Sequence, residues 1–142
     1  MKLFTRQSKF EAFASELDGL VVGLPAQVRR GESQWSIEIG TNLVIMTYDW
    51  RLVGAKSIIV SSQDDGHQFG LPAPVDAETL ANQALSDKLA DRVTLNARTG
   101  DCEINVGGFL SMQILTSSMG YESWQLYRDG EFFAAVGNGG LI

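Results

Sequence analysis

The sequence predicts an α+β fold: mainly antiparallel sheet built from two pseudo-repeated hairpin units, with an N-terminal helix and one bridging helix. Three observations predict it. Residues 34–46 and 101–113 each alternate apolar and polar side chains on either side of a glycine turn, the pattern of a half-buried antiparallel hairpin. The two stretches match without a gap 67 residues apart, Trp35 against Cys102, Gly40 against Gly107 and Ile45 against Met112. Two other stretches, near each end of the first hairpin unit's flanks, repeat apolar residues at helical rather than strand spacing.

Taken in order, Ser8 and Glu11 have the spacing of a capping box, and Phe10, Phe13, Leu17 and Leu20 form an apolar stripe behind it. A helix over 1–20 is expected, ended at Asp18-Gly19. After the break at Gly23-Leu24-Pro25, a first sheet unit spans 24–61: Val28 to Arg30, the first hairpin, Trp50-Arg51-Leu52 and the β-branched run Ile58 to Val60. Ser61 to Phe69 reads as a polar loop with Asp64-Asp65-Gly66-His67 at its tip, followed by a stiff Leu71-Pro72-Ala73-Pro74 connector. Asp76 caps the bridging helix, 76–90, with Leu80, Ala81, Ala84, Leu85 and Leu89 expected inward. The second sheet unit, 93–142, holds the second hairpin, Trp124-Gln125-Leu126, and a turn at Asp129-Gly130 before Phe132 and Phe133. A further turn or bulge is expected at Gly137 to Gly140. In all, seven or eight strands in one domain, 1–142, are expected.

The second unit differs from the first at one place. Trp124 follows Trp50 by 74 residues rather than 67, so seven residues have entered before it, around Ser118-Met119-Gly120-Tyr121.

Composition narrows the function classes. With 44% hydrophobic and 20% charged residues in 142, the chain can bury a core without staples. One cysteine, Cys102, and one histidine, His67, exclude an intramolecular disulfide and a structural zinc site. A net charge of −6 argues against a nucleic-acid binder, which needs a basic stripe, and favours solubility or a basic partner. The first ten residues carry charge with no apolar run behind them, so neither a signal peptide nor a membrane span is expected, and a cytoplasmic location is.

No triad, metal set or cofactor motif stands out, and neither catalytic residues nor a cofactor is expected. Asp64-Asp65-Gly66-His67 reads as an Asx-rich turn rather than a metal site. Cys102 falls on the inward side of its strand, as an inert thiol would. Tyr121, Glu122 and Trp124 admit two readings: a pocket or contact surface, or Trp124 in the core with Tyr121 over a sheet edge and Glu122 solvated. Asp49 and Arg51 flank Trp50 in the same way, and an Arg51–Glu122 tie is one possibility.

The pattern Thr99-Gly100-Asp101, then Gly120-Tyr121-Glu122-x-Trp124, then Gly139-Gly140-Leu141 resembles that of a family of small uncharacterised bacterial proteins, from about Leu20 to Ile142. Trp50-Arg51-Leu52 and Asp64 to Gly70 fit its first half. Some similar acidic proteins neighbour polymorphic or contact-dependent toxins as immunity proteins. The resemblance implies a binding protein that neutralises a toxin by direct contact, its partner a basic toxin domain. Candidate contact residues are then Asp49, Arg51, Asp64, Asp65, His67, Tyr121, Glu122 and Trp124. The alternatives are a small-molecule binding or enzymatic domain with a pocket near Tyr121, Glu122 and Trp124, or a structural subunit of a phage or secretion assembly.

Overall fold

The computed structural model describes residues 5–137 and 140–141. Two helices, α1 (Arg6–Val21) and α2 (Ala77–Leu85), accompany eleven strands among these residues. The first half contributes β1 (Ala26–Arg30), β2 (Trp35–Ile39), β3 (Leu43–Thr47), β4 (Trp50–Val53) and β5 (Ile58–Ser61). The second contributes β6 (Ala90–Leu95), β7 (Cys102–Val106), β8 (Leu110–Ile114), β9 (Trp124–Arg128), β10 (Glu131–Gly137) and the short β11 (Gly140–Leu141). All strand pairs are antiparallel, so the fold is mixed α+β and mainly sheet. The expected turn at Asn138-Gly139 and the ends Met1–Phe4 and Ile142 lie outside the described residues.

The strands form two sheets, ordered β1-β2-β3-β9-β10-β11 and β5-β4-β8-β7-β6. Each sheet therefore takes three strands from one half of the chain and is completed from the other, by β9, β10 and β11 in the first sheet and by β4 and β5 in the second. The register is matched in both. Trp35 faces Thr47 and Cys102 faces Ile114; Ile37 faces Ile45 and Ile104 faces Met112. Across the exchanged joins, Thr47 faces Trp124 and Ile45 faces Leu126, while Ile114 faces Trp50 and Met112 faces Leu52. The closing hairpins pair Leu52 with Val60 and Leu126 with Ala134, and each then shifts register by one residue. Gly40 and Gly107 both hold φ 63° at the hairpin turns, a conformation that suits a residue without Cβ.

The inward faces of both sheets make one core. Trp50, Leu52, Ile104, Met112 and Ile114 meet Ile37, Ile39, Ile45, Trp124 and Leu126, all essentially without exposure. Each buried side chain of this size contributes roughly 2–3 kcal/mol relative to water. The helices lie along the open sides. α1 packs on the edge strand β6 and on β11, with Phe13 stacked 6.1 Å from Phe133, and α2 packs on the edge strands β1 and β5. Their buried positions also correspond: Phe13, Leu17 and Val21 in α1, Ala77, Ala81 and Leu85 in α2. Asn82 of α2 accepts from the Val28 N–H (2.7 Å) and donates to its carbonyl (2.8 Å), and Asp18 of α1 accepts from the Val93 N–H. Both edge strands are thereby capped by a helix side chain, which blunts them against pairing with another chain.

Several expectations are corrected. The N-cap of α1 is Thr5, which accepts from the Ser8 N–H at 3.1 Å; Ser8 sits inside the first turn, so no Ser8–Glu11 box forms. α1 passes through Gly19 to Val21, because Leu17 and Val21 continue the buried stripe and packing outweighs the local cost of glycine. α2 stops at Leu85, since Asp87 takes φ 61° and Ala90 is already in β6. Its inward face is Ala77, Ala81 and Leu85, as expected for Ala81 and Leu85; Leu80 lies on the outer side of α2 and Leu89 beyond its end, and both are exposed. The strand count among the described residues exceeds the expected seven or eight: each half supplies five strands, and the two-residue β11 adds one more. No described helix is long and apolar enough to cross a membrane.

Candidate functional site

Each half must carry its chain from one sheet to the other, and the two crossings lie side by side. The first, from β3 to β4, uses only Tyr48 and Asp49; the second, from β8 to β9, uses Leu115 to Ser123. The Leu115 N–H donates to the Asp49 carbonyl at 2.9 Å, tying the crossings together. Buried Thr47 supports the join: its hydroxyl accepts from the Asp49 N–H (3.2 Å) and lies 3.5 Å from the Ser123 carbonyl.

The longer crossing is pinned at its ends and its bend. The Thr116 N–H donates to Asp101 Oδ1 (2.7 Å) and the Ser123 N–H to the Val136 carbonyl (2.9 Å). In between, Ser118 Oγ accepts from the N–H groups of Gly120 (3.1 Å) and Tyr121 (3.0 Å), a serine-centred turn. The segment lies close over β10: a Cβ on Gly137 would stand 2.7 Å from Glu122 Cγ, so glycine there leaves the space Glu122 occupies.

Between the crossings opens a pocket of about 670 Å3. Tyr48 and Asp49 of the first crossing line it together with Leu115, Ser117, Ser118, Tyr121, Glu122 and Ser123 of the second, and Gln125 of β9. Tyr48 is 58% exposed and Tyr121 83%, and Met119, at 89%, stands on the neighbouring rim. Both carboxylates are oriented from behind. Ser62 Oγ donates to Asp49 Oδ1 at 3.1 Å while accepting from the Trp50 N–H. Gln125 Nε2 donates to Glu122 Oε2 at 3.0 Å, and Gln34 Nε2 stands 3.4 Å from Gln125 Oε1. Neither carboxylate forms an ion pair among the described residues. On the other side of Ser117-Ser118 lies a second hollow of about 420 Å3, with Arg6 and Arg98 on its wall. The inserted segment thus separates an acidic, aromatic pocket from a basic one.

Of the eight candidate residues, Asp49, Tyr121 and Glu122 meet in this pocket. Trp124 does not: its ring is fully buried, Nε1 donating to the Gly100 carbonyl at 3.0 Å, so it is a core residue and not a contact residue. Arg51 also lies elsewhere. Its Nε donates to Gln113 Oε1 (2.6 Å), and Gln113 donates in turn to Glu103 (3.2 Å), in place of the Arg51–Glu122 tie that the sequence left as one possibility. Cross-strand neighbours on one sheet face are nearer than a loop at the sheet's end.

Asp64, Asp65 and His67 occupy the loop after β5. Asp64 accepts from the Ser61 N–H (2.9 Å), closing the single 3-10 turn Ser62–Asp64. Asp65 takes two hydrogen bonds from Arg30 (3.0 and 2.8 Å) and one from the Ala77 N–H at the start of α2. Arg30 also donates to Asp76 (3.1 Å) and lies 5.3 Å over the Trp35 ring. The Arg30 guanidinium holds the Asp65 carboxyl below the usual carboxylate range, and its own pKa is raised by Asp65 and Asp76. This acid therefore serves the fold. His67 is exposed, its ring 5.6 Å from that of Phe69. No group of three or more His, Cys, Asp or Glu side chains is arranged to hold a metal ion among the described residues. Cys102 is buried, which pushes its thiol up to about 12.

Sequence reasoning missed Tyr48 and Met119. The seven-residue length difference was the available signal, but it placed the extra residues beside Trp124 without showing which crossing they would face. No family model matches the chain, and neither does any curated protein or solved structure.

Proposed function

We propose that this chain is an immunity-type binding protein, acting in the cytoplasm, that neutralises a cognate bacterial toxin by covering a basic surface with its crossover end. The observation that carries this reading is the exposure of Tyr48, Met119 and Tyr121 around two oriented carboxylates that lack ion-pair partners among the described residues. Exposed aromatics and methionine next to acceptors of one sign suit the centre of a protein interface, where aromatic anchors supply affinity and charge supplies partner choice. The net charge of −6 attracts a basic partner from a distance and repels acidic ones.

The test is binding to the product of a toxin gene adjacent to that for this chain, together with rescue of cells expressing that toxin. Tyr121→Ala is expected to weaken the complex by about 2 kcal/mol, the scale of an interface anchor. A wild-type chain that neither binds that product at micromolar concentration nor rescues growth would overturn the reading. A second reading, a small-molecule binding domain, is favoured by the pocket's volume of about 670 Å3, within the usual range for small ligands. It predicts affinity for a small ligand with no toxin binding.

A further inference from the structure

Resting on that reading, we propose that the pocket between the crossings seats one arginine side chain of the partner, the guanidinium held between Asp49 and Glu122 and laid against tyrosine. The two carboxylate residues line the same pocket, one from each crossing. Each is held in place by a neutral donor, Ser62 or Gln125, that fixes orientation without cancelling charge. A cation entering here exchanges hydration for two preoriented acceptors and does not displace an existing ion pair of the described residues.

The remaining wall chemistry selects among cations. Leu115 offers an apolar surface for the methylene stem of a long basic side chain. Tyr48 and Tyr121 offer ring faces at the mouth. A guanidinium is planar, stacks on rings and carries five donors in a fork that can address two carboxylates at once; an ammonium is a compact, strongly hydrated point charge. The pocket is also larger than a single side chain requires, leaving space for flanking backbone. An arginine at the tip of a protein loop fits this better than a free cation.

The correspondence between the halves supports a role outside folding. Register, bulge and buried helix positions match across the two halves, whereas residues 116–122, Tyr121 and Glu122 among them, have no counterpart in the first. The first crossing connects its sheets with two residues, so connection alone does not require the other seven.

The test needs no partner protein. Amide resonances of the intact chain are followed by NMR during titration with Nα-acetyl-arginine methylamide and, separately, with the uncharged isostere Nα-acetyl-citrulline methylamide. The arginine compound is expected to give saturable shifts confined to Tyr48, Asp49 and residues 115–125, with citrulline at least about tenfold weaker. Glu122→Gln, at an exposed position, is expected to weaken arginine binding several-fold with other resonances unmoved, and Asp49→Asn to do the same. Asp64→Asn is the charge control and should leave binding unchanged. Equal binding of citrulline, shifts scattered over the other acidic residues, or indifference to Glu122→Gln would each overturn the proposal. If the toxin product binds and the arginine compound does not, the pocket assignment falls and the immunity reading stands. If the arginine compound binds as expected and no toxin product does, the immunity reading falls and the cation site stands.

Discussion

The two crossings between the sheets do the same mechanical job with two residues in one case and nine in the other. Tyr48-Asp49 is a taut link whose backbone is committed to Thr47, Leu115 and the strands on either side. Leu115 to Ser123 is tied at its ends and at Ser118, and presents Met119, Tyr121 and Glu122 outward. The paired tryptophans and their strand neighbours, common to both halves, pack, whereas Met119, Tyr121 and Glu122, in the longer crossing, face solvent. The difference separates what the fold needs from what has been added to it.

The same comparison orders the experiments. The largest effect is expected at the paired tryptophans. Truncating Trp124 to alanine should destabilise the protein by about 3–5 kcal/mol in denaturant unfolding, and Trp50→Ala should do likewise, since both rings are fully buried. Phenylalanine should separate them: Trp124 donates to the Gly100 carbonyl, whereas Trp50 Nε1 is buried with no partner among the described residues. Trp124→Phe should therefore cost about 1 kcal/mol more than Trp50→Phe, because it alone strands an acceptor. Equal losses would mean the indole hydrogen bond contributes nothing.

Next in size is the clamp on α2. Among the described residues the first turn of α1 is capped by Thr5, while that of α2 is held by Asp76 and by Asp65 from the preceding loop. Asp65→Asn is expected to cost about 1–2 kcal/mol at neutral pH, combining a cap and a partly exposed ion pair. Its sign with pH follows from the lowered carboxyl. The stabilisation is present above the unfolded value, about 3.9, and is lost as pH falls through the lower folded value. Wild type and mutant should thus converge in stability below that window, and a gap that persists in acid would show the ion pair to be irrelevant.

A smaller effect is expected from making the crossings alike. Deleting residues 116–122 leaves Leu115-Ser123 in the place of Tyr48-Asp49, and should change stability by about 1 kcal/mol or less while abolishing partner binding. Unfolding of that variant would show the insertion to be part of the core. Smallest of all, Glu122→Gln should alter stability by less than about 0.5 kcal/mol, as befits an exposed side chain.

Local pattern made much of this legible. The hairpins were visible because alternation and a positive-φ glycine turn are short-range properties, and Cys102, Ile104 and Val106 point inward as their spacing implies. The turn at Asp129-Gly130 likewise combines φ 52° and φ 80°, which that pair readily adopts. The exchange of closing hairpins was not legible. Trp50-Arg51-Leu52 and Trp124-Gln125-Leu126 carry nearly the same pattern, so nothing local tells β4 to join β8 and β9 to join β3. The site inherits that blindness: Tyr121 and Glu122 could be named, but Tyr48 becomes their neighbour only through the exchange. Asp65 failed as a contact residue for a similar reason, its cation Arg30 lying 35 positions away on another strand.

The exchange also dictates an order of events as the chain is made. When β3 leaves the ribosome, its outer edge lacks its partner until Trp124–Arg128 has followed. Until then Leu43 and Ile45 belong to a half-built sheet with an exposed, pairing-competent edge, and α1 waits for β6 before Phe13 and Leu17 can be covered. Neither half can complete its sheet without strands from the other, so the first sheet closes only after β9 has followed. A chain stalled after residue 114 would hold all five strands of one sheet but only β1, β2 and β3 of the other, whose edge stays open, a natural client for chaperones and a natural seed for aggregation.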